Sequence, residues 1–400
     1  MTTHLDVPAF RQRLQAELLG NILPFWLKNT VDEVNGGFYG AVTNDLQVQN
    51  DVPRSAILCA RILWTYAAAY RLFHEPAYRR MADHAYRYLA EVFWDKDFGG
   101  VYWSVDAAGR PVLDRKHSYA QAFAIYGLAE YHRATGDGPS LQLAQELFGL
   151  VEAHSFDRAH GGYVEGCSRE WGALADMRLS DKEPNCRKSM NTLLHLMEAY
   201  TNLRRVWEGD ALKAQLRGLI PVFTDHVIDP QTHHFHLFFD DAWTSLSPEV
   251  SYGHDIEGSW LLAEAAEVLG EAGLLAQCRT TAEKMAQAVY QQGRDTDGSV
   301  LPEAGPAGVT SFDRHWWVQA EAVVGFYNAY QLSGQAGFAE AAYQAWRYIE
   351  DHLVDREHGE WFKIVDRGGA PRLDQPKAGP WECPYHNSRM CFEMLARLGG

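Results

Sequence analysis

The chain has 400 residues, a formal net charge of −16 at pH 7 and 22% charged residues. Such an acidic composition, with no basic run or stripe, argues against a nucleic-acid partner. No segment reaches about 18 uninterrupted apolar residues and the first twenty residues lack the apolar centre of a signal peptide, so we expect a cytoplasmic protein with no membrane partner. The six cysteines show no metal-ligand spacing and are expected to be buried free thiols.

A short phrase recurs along the chain and divides it into repeats. Each copy has an aspartate, three further residues, a Gly-Gly pair or its equivalent, and then aromatic or β-branched residues. The copies begin at Asp32, Asp95, Asp157, Asp229 and Asp355, and a degenerate copy lies near residue 297. Six repeats of roughly 63 residues therefore account for the chain.

Two kinds of helical pattern alternate between these phrases. Residues 55–70 and 118–131 are apolar nearly all round, which indicates burial on every side, whereas residues 76–94 and 337–354 have one polar face, which is typical of outer helices. Six inner and six outer helices predict an all-α fold, an (α/α)6 barrel of six helical hairpins with short β-hairpins and loops at one end. We expect a single catalytic domain over residues 1–400. An open helical solenoid is the alternative, but fully apolar inner helices favour a closed ring.

The repeat order also predicts where a site lies. Every inner helix follows a glycine phrase and a loop, so all six inner N-termini should point to one end of the barrel and surround a pocket. One inner helix, "SYGHDIEGSWLLAEAAEVLG", begins with His254, Asp255 and Glu257 before it becomes apolar. Polar groups in the first turn of a buried helix are therefore candidates for that pocket.

Several residues do not fit a core role. Arg61 is the only charged residue of its inner helix, and we expect it to meet an acid from another repeat or a ligand oxygen. His254 and His386 each open an inner helix, and two imidazoles at one pocket can remove and return protons at neutral pH. Glu257 lies three residues after His254 on the same face, where it can orient that imidazole. Asp255 points elsewhere and is expected to be structural.

Further candidates line the same predicted end. Asn191 and His195 are four residues apart and share a helical face, although a satisfied core pair is an equal alternative. Four aromatic residues begin inner helices, where core packing is the default and sugar stacking the functional interpretation: Tyr119, Trp316, Trp317 and Trp381. Zinc is a competing account of the histidines, but the chain has no HExxH motif and no Cys/His spacing, so no metal is expected.

Long phrases of the chain are similar to a known family. They include "GGFYG", "ILCARILWTYAAAYR", "KHSYAQAFAIYGLAEYHRATG", "KSMNTLLHLMEAYTNL", "SYGHDIEGSWLL", "HWWVQAEAVVGFYNAYQ" and "WECPYHNSRM". The chain resembles the acylglucosamine 2-epimerase superfamily, most closely its cellobiose 2-epimerase branch, over essentially its whole length. The resemblance implies an (α/α)6 barrel and epimerisation at C2 of a reducing-end sugar without a cofactor.

The resemblance also implies residue roles. His254 and His386 match the acid/base histidines, Arg61 the essential arginine, and Glu257 the acid that supports the catalytic histidine. The matched sugar contacts are Tyr119, Asn191, His195, Trp317 and Trp381. The chain departs from the family pattern at three positions, which puts substrate preference in doubt: Cys59, Glu183 and Leu193. Glu183 takes the place of an aspartate in a loop that we expect to contact substrate.

The expected substrate is a small sugar, with cellobiose converted to glucosyl-mannose and lactose to epilactose. A mannose/glucose 2-epimerase, a mannose-fructose isomerase, an inverting glycoside hydrolase and a non-catalytic carbohydrate-binding protein are the alternatives. A hydrolase would need paired carboxylates, for which Asp255 and Glu257 are poorly placed because residues two apart on a helix point in different directions. We expect a monomer or a weak homodimer.

Overall fold

A computed structural model describes residues 6–399 of the chain. Its helices, numbered in chain order, are α1 (Val7–Glu17), α2 (Leu23–Asn29), α3 (Ala56–Phe73), α4 (Pro76–Tyr88), α5 (Ser118–Thr135), α6 (Gly138–His154), α7 (Met190–Arg204), α8 (Asp210–Val222), α9 (Tyr252–Leu269), α10 (Ala272–Gln292), α11 (Trp316–Ser333), α12 (Ala336–Tyr348) and α13 (Tyr385–Arg397).

The strands are two or three residues long and pair antiparallel. They are β1 (Ala41–Val42), β2 (Val48–Gln49), β3 (Arg54–Ser55), β4 (Ser104–Val105), β5 (Pro111–Leu113), β6 (Lys116–His117), β7 (Gly166–Cys167), β8 (Lys188–Ser189), β9 (Phe238–Phe239), β10 (Val250–Ser251), β11 (Glu303–Gly305), β12 (Gly308–Val309), β13 (Arg314–His315) and β14 (Ile364–Val365). The sheets have the orders β1-β2, β3-β4-β5, β6-β7, β8-β9, β10-β11-β12 and β13-β14. Five of the six inner helices therefore begin directly after a strand.

The inner helices α3, α5, α7, α9, α11 and α13 each pack against the next, and α13 packs back against α3. This contact closes the ring, which confirms the (α/α)6 barrel. The outer layer consists of α4, α6, α8, α10 and α12 together with the first segment, α1 and α2. The apolar inner helices are buried along most of their length, and one hydrophobic cluster extends from Phe10 to Leu398.

Four outer segments differ from the regular helices that the pattern predicts. Each contains a π-helical turn: Leu18–Ile22, Leu89–Phe93, Phe223–Val227 and Ile349–Leu353. In one of them the backbone N–H of Trp94 donates to the carbonyl of Leu89, five residues earlier, at 3.0 Å. Hydrophobic periodicity does not distinguish such a turn from the last turn of an α-helix, because it reports only which face is buried.

The glycine phrase is a tight turn between an outer helix and the loop that leads to the site. The backbone N–H of Asp95 donates to the carbonyl of Gly100 at 2.8 Å, and the N–H of Gly99 donates to the carbonyl of Asp95 at 2.8 Å. Gly99 and Gly100 have φ angles of 70° and 72°, a left-handed conformation that glycine adopts without a Cβ clash. The phrase thus turns the chain back toward the next inner helix.

All six cysteines are free and buried, as predicted. Within residues 6–399, no helix combines the length and apolarity needed to cross a membrane.

Candidate active site

A cavity of about 490 Å³ lies at the end of the barrel where the inner helices begin. All the site residues predicted from the sequence line it: Arg61, Tyr119, Glu183, Asn191, His195, His254, Glu257, Trp316, Trp317, Trp381 and His386. The structure adds Leu179, Ser180, Asp181, Lys182, His315 and Lys363 to its wall. The geometric expectation that the inner N-termini surround one pocket therefore holds.

Arg61 lies in the second turn of α3 and is buried. Its Nη2 donates to the hydroxyl of Tyr119 at 2.9 Å and its Nη1 donates to Cys383 Sγ at 3.5 Å. The guanidinium carbon lies 4.1 Å from the ring centroid of Phe123 and 4.8 Å from that of Tyr385. Within residues 6–399 no carboxylate forms an ion pair with Arg61. The expected acid from another repeat is therefore not found, and a ligand oxygen is the remaining expected partner. A ring of neutral groups thus leaves its positive charge available to an anionic oxygen in the cavity.

His386 is the second residue of α13 and is held by a carboxylate. Its Nδ1 lies 2.7 Å from Glu321 Oε1. Because a carboxylate accepts, this bond places the ring proton on Nδ1 and leaves the lone pair on Nε2. Burial lowers the pKa of His386 well below the usual 6.5, with help from nearby positive charges such as Arg61. The residue is therefore a neutral imidazole with a free basic nitrogen.

His254 lies in the first turn of α9 and has a different partner. Its Nδ1 is 2.7 Å from Ser251 Oγ. Burial lowers the pKa of His254 to about 3. A hydroxyl can donate to Nδ1 or accept from it, so either tautomer of His254 can be stabilised. This histidine is suited to hold a proton on Nε2 or to accept one there.

Trp317 lies beside both histidines. Its ring centroid is 4.7 Å from that of His254 and 5.6 Å from that of His386. On another side of the cavity, Trp381 packs edge-on against Tyr119 with the centroids 6.0 Å apart. Trp316 is the first residue of α11 and is mostly buried, and its ring centroid lies 6.3 Å from that of His386. These rings form apolar walls against which a sugar face can stack.

A buried charge cluster forms the floor beneath the histidines. The guanidinium of Arg389 donates at 2.6 Å to both Glu257 and Glu321, and it also pairs with Glu198. Burial and the neighbouring Glu321 carboxylate raise the pKa of Glu257. Burial opposes ionisation of Glu198 as well, but Arg389 and other partners lower its pKa to about 2. One cation therefore serves three acids, at least one of which is ionised.

The expected partnership between Glu257 and His254 was wrong. Both residues lie on the cavity side of α9, as their spacing predicted, but the Glu257 carboxylate turns toward Arg389 and lies 3.9 Å from His386 Nδ1. The guanidinium of Arg389, 132 residues further along the chain, offers a charge-assisted hydrogen bond at 2.6 Å, which the neutral imidazole of His254 does not. Glu257 therefore belongs to the support of His386.

Asn191 and His195 lie one helical turn apart on α7 and both face the cavity. His195 Nδ1 is 2.9 Å from Glu198 Oε2, which fixes this ring in the same way that Glu321 fixes His386. Burial lowers the pKa of His195. Asn191 Oδ1 is buried without a hydrogen-bond partner among residues 6–399. An unpaired buried amide oxygen next to a cavity is suited to accept a substrate hydroxyl.

Glu257, Glu321 and His386 offer three ligand atoms within 4.8 Å of one another, a spacing that also suits a metal ion. The oxygen atoms concerned accept hydrogen bonds from Arg389 at 2.6 Å. A metal would have to displace that guanidinium, so the three residues are better described as its partners.

The loop between β7 and β8 closes one side of the cavity with residues 179–183. Burial raises the pKa of Glu183 to about 7. Across the mouth, the Lys363 ammonium pairs with Glu382. The lining formed by this loop and Lys363 is therefore polar and carries side chains of both charge signs.

The chain is similar in sequence and in structure to known proteins. The family model described as N-acylglucosamine 2-epimerase (GlcNAc 2-epimerase) matches residues 37–388. The chain belongs to this family. It is 50% identical over 386 residues to a cellobiose 2-epimerase of Bacteroides fragilis, covering 96% of this chain and 98% of that protein. A carbohydrate epimerase is an isomerase, and that is the enzyme class of this protein.

Solved structures of family members have the same fold. The cellobiose 2-epimerase of Bacillus thermoamylovorans superimposes with a TM-score of 0.93 at 40% identity, covering 98% of this chain and 100% of that one. A D-mannose isomerase superimposes with a TM-score of 0.85 at 20% identity, covering 96% and 98%, a likeness that shows the fold alone. The same barrel therefore occurs in solved structures at both 40% and 20% sequence identity to this chain.

Sequence reasoning missed the charged floor of this epimerase site. Glu198, Glu321 and Arg389 each lie inside an inner helix that is otherwise largely apolar, and each is almost fully buried. The signal was the one that identified Arg61, a charge in a helix with no exposed face. Which charges meet across the ring depends on how six helices are arranged, and that information is not local in sequence.

Proposed function

We propose that the protein is a 2-epimerase that inverts C2 of the reducing-end aldose of a β-1,4-linked disaccharide. Cellobiose would give glucosyl-mannose and lactose would give epilactose. The observation that carries this proposal is the placement of two neutral imidazoles, His254 and His386, next to Trp317 in a cavity that also contains the guanidinium of Arg61. Relatives named cellobiose 2-epimerase at 50% and 40% identity support the substrate class.

The chemistry begins with the open form of the sugar, because the hydrogen at C2 is acidic only beside a free carbonyl. His386 or His254 assists ring opening. One of the two histidines then removes the C2 proton, and the electron pair moves into a cis-enediolate whose oxygen is stabilised by Arg61. The other histidine returns a proton to the opposite face of C2. No cofactor takes part in these steps.

Substrate is positioned by the remaining cavity residues. Asn191 and His195 hold the hydroxyls near C2 and C3, and Trp317 and Trp381 stack on the sugar rings. The cavity volume of about 490 Å³ lies within the range of roughly 300–1,000 Å³ common for small-molecule sites. The loop that carries Glu183 lines the same cavity, and we place the non-reducing sugar beside it.

A hydrolytic function is less well supported by the same geometry. Inversion by hydrolysis uses two carboxylates with a water between them. Asp255 is bonded to His234 instead of facing the cavity, and Glu257 is engaged by Arg389. The two acids that the sequence offered for such a pair are thus committed to other partners.

Two further features are proposed with the function. A cytoplasmic location agrees with six free thiols, since reducing compartments keep cysteines unpaired. We also propose a monomer or a weak homodimer, which size-exclusion chromatography over a range of concentrations would test.

Product analysis tests the proposed function directly. The protein is incubated separately with cellobiose, mannose and glucose, and the products are separated and identified. The proposal expects glucosyl-mannose from cellobiose at a higher kcat/KM than any product from the monosaccharides. Fructose from mannose as the main reaction would indicate an isomerase, and glucose from cellobiose would indicate a hydrolase.

A further inference from the structure

In five of the six repeats, a buried cation ties the glycine turn to the segment before the next inner helix. The aspartate that opens the phrase pairs with an arginine or lysine, in the pairs Asp32–Arg54, Asp95–Lys116, Asp157–Lys188, Asp295–Arg314 and Asp355–Lys377. In four of these repeats the basic residue stands two positions before the first residue of the inner helix. In those four repeats the pair thus ties the glycine turn to the start of the inner helix.

The fourth repeat lacks this link. Val250 stands two positions before Tyr252, the first residue of α9, where the other repeats have a cation. Within residues 6–399, the basic side chain that pairs with Asp229 is His236, whose Nε2 lies 3.6 Å from Asp229 Oδ2. Both side chains are about one-third exposed. The helix that carries His254 is therefore not fixed in the way that its equivalents are.

A different pair ties α9 to the preceding loop. Asp255 Oδ2 lies 2.7 Å from His234 Nδ1, and Asp255 Oδ1 accepts the backbone N–H of Phe235 at 2.7 Å. Asp255 is fully buried and His234 almost so. The ring of Phe235 also packs against Gly258, where a Cβ would collide with it. The link thus originates inside the helix, one residue after His254, instead of in the strand before it.

This placement has a consequence for the catalytic imidazole. Successive residues of a helix point about 100° apart, so a rotation of the first turn that satisfies Asp255 also sets the direction of His254. The one side-chain hydrogen bond that His254 makes within residues 6–399 is to Ser251, which lies in the short strand β10.

We propose that Asp255 and His234 are positioning residues that fix the first turn of α9 and thereby aim His254 at the substrate. The proposal rests on the proposed function for its kinetic consequence, although the position of His254 is independent of it. Neither residue touches the substrate. Asp255 supplies two acceptors at fixed points, and His234 supplies the donor that meets one of them.

Four variants test this proposal by kinetics with cellobiose. Asp255→Ala is expected to lower kcat at least tenfold with KM within threefold, and to raise the primary isotope effect with C2-deuterated substrate because C–H cleavage becomes slower. Asp255→Asn keeps the acceptor for Phe235 N–H and is expected to recover kcat to within about threefold of the wild type. His234→Asn keeps a donor near the position of Nδ1 and should behave likewise, whereas His234→Leu should resemble Asp255→Ala.

Lys188→Met is the matched control, because it removes the equivalent link of the third repeat. It is expected to lower the melting temperature with kcat within threefold of the wild type. If Asp255→Ala only lowers the melting temperature and leaves kcat of the folded protein within threefold, the proposal fails. It also fails if Asp255→Asn is as slow as Asp255→Ala.

A crystal structure of Asp255→Ala separates this inference from the proposed function. The inference expects loss of the 2.7 Å contact between His254 Nδ1 and Ser251 Oγ, or a rotated His254 ring. An unchanged His254 would overturn it whatever the substrate is. Absence of turnover by the wild type with every sugar would instead count against the proposed function.

Discussion

At the scale of single residues, Arg61 is unusual because its buried charge is surrounded by neutral groups. We propose that this charge stabilises the enediolate oxygen. Arg61→Met should therefore lower kcat about 100- to 1,000-fold, as loss of one oxyanion-stabilising group commonly does. Stopped assays with cellobiose measure the effect, and circular dichroism checks that the barrel is intact. A variant with near-normal kcat would remove Arg61 from the mechanism.

Glu321 is expected to act through His386. Its carboxylate accepts from Nδ1 and so keeps the basic lone pair on Nε2. Glu321→Gln can present an amide N–H to Nδ1, which favours the opposite tautomer, and kcat should fall about 100-fold. Glu283→Gln, at the other end of the barrel, is the matched control and should leave kcat unchanged. Equal rates for the two variants would contradict the assignment.

The pH dependence follows from the buried histidines. Burial lowers the pKa of His254 to about 3, and the pKa of His386 also lies well below 6.5. A base must be unprotonated to accept the C2 proton, so kcat/KM should stay level as the pH falls from 7 through 6.5 and should decline only at lower pH. Initial rates at low substrate concentration from pH 8 to pH 4 provide the test. An acid limb with an apparent pKa of 6.5 or above would show that the imidazoles titrate as exposed groups do.

Arg61 and His254 were predictable as candidates because each places a charge or a polar ring in an otherwise apolar inner helix. Their partners were not. Glu257 was assigned to His254 because the two residues share a helical face, but a guanidinium from α13 is the stronger partner and lies 132 residues away in sequence. Local geometry therefore identified the candidates, and tertiary electrostatics decided which of them act together.

At the scale of elements, buried ion pairs connect the glycine turns to the segments that precede the inner helices. Lys377 pairs with Asp355 and donates to the carbonyl of Gly359 at 3.0 Å, and both side chains are almost fully buried. Lys377→Met leaves a buried carboxylate without its cation, so it should destabilise the fold by about 3–5 kcal/mol. Urea denaturation monitored by tryptophan fluorescence measures this change. Arg347→Met, which breaks an exposed pair with Asp351, should cost less than about 1 kcal/mol. Similar losses for the two variants would contradict the proposed role of burial.

The helices themselves followed from hydrophobic periodicity, and the inner helices predicted at residues 55–70 and 118–131 begin within one residue of the predicted positions. Trp381, which was expected to begin an inner helix, lies four residues before the start of α13. The predicted segment 118–131 begins at Ser118 as expected but continues to Thr135, because Gly136 supplies the left-handed residue that ends it. The π-turns of the outer helices were not predictable, since hydrophobic periodicity reports only which face of a helix is buried. The cation links were overlooked although both partners are visible in the sequence, since their separation of 19 to 31 residues is not a helical or strand period.

At the scale of the whole molecule, the sixfold repeat determined the architecture before any local pattern did. Apolar inner helices need a shared centre, and the contact of α13 with α3 supplies it. We propose that residues 1–400 form one domain, because a single hydrophobic cluster includes residues from Phe10 to Leu398. The predicted limits at residues 1 and 400 lie outside the described residues. The balance between epimerisation and isomerisation depends on sub-ångström proton geometry, which no sequence pattern encodes.

The central claim is that a proton leaves C2 to one histidine and a solvent-exchangeable proton returns from the other. Cellobiose is incubated with the protein in heavy water, and the purified glucosyl-mannose is analysed by proton NMR and mass spectrometry. We expect one deuterium at C2 of the reducing-end mannose. Epimer formed with its original C2 hydrogen and no deuterium would contradict proton transfer through the two histidines.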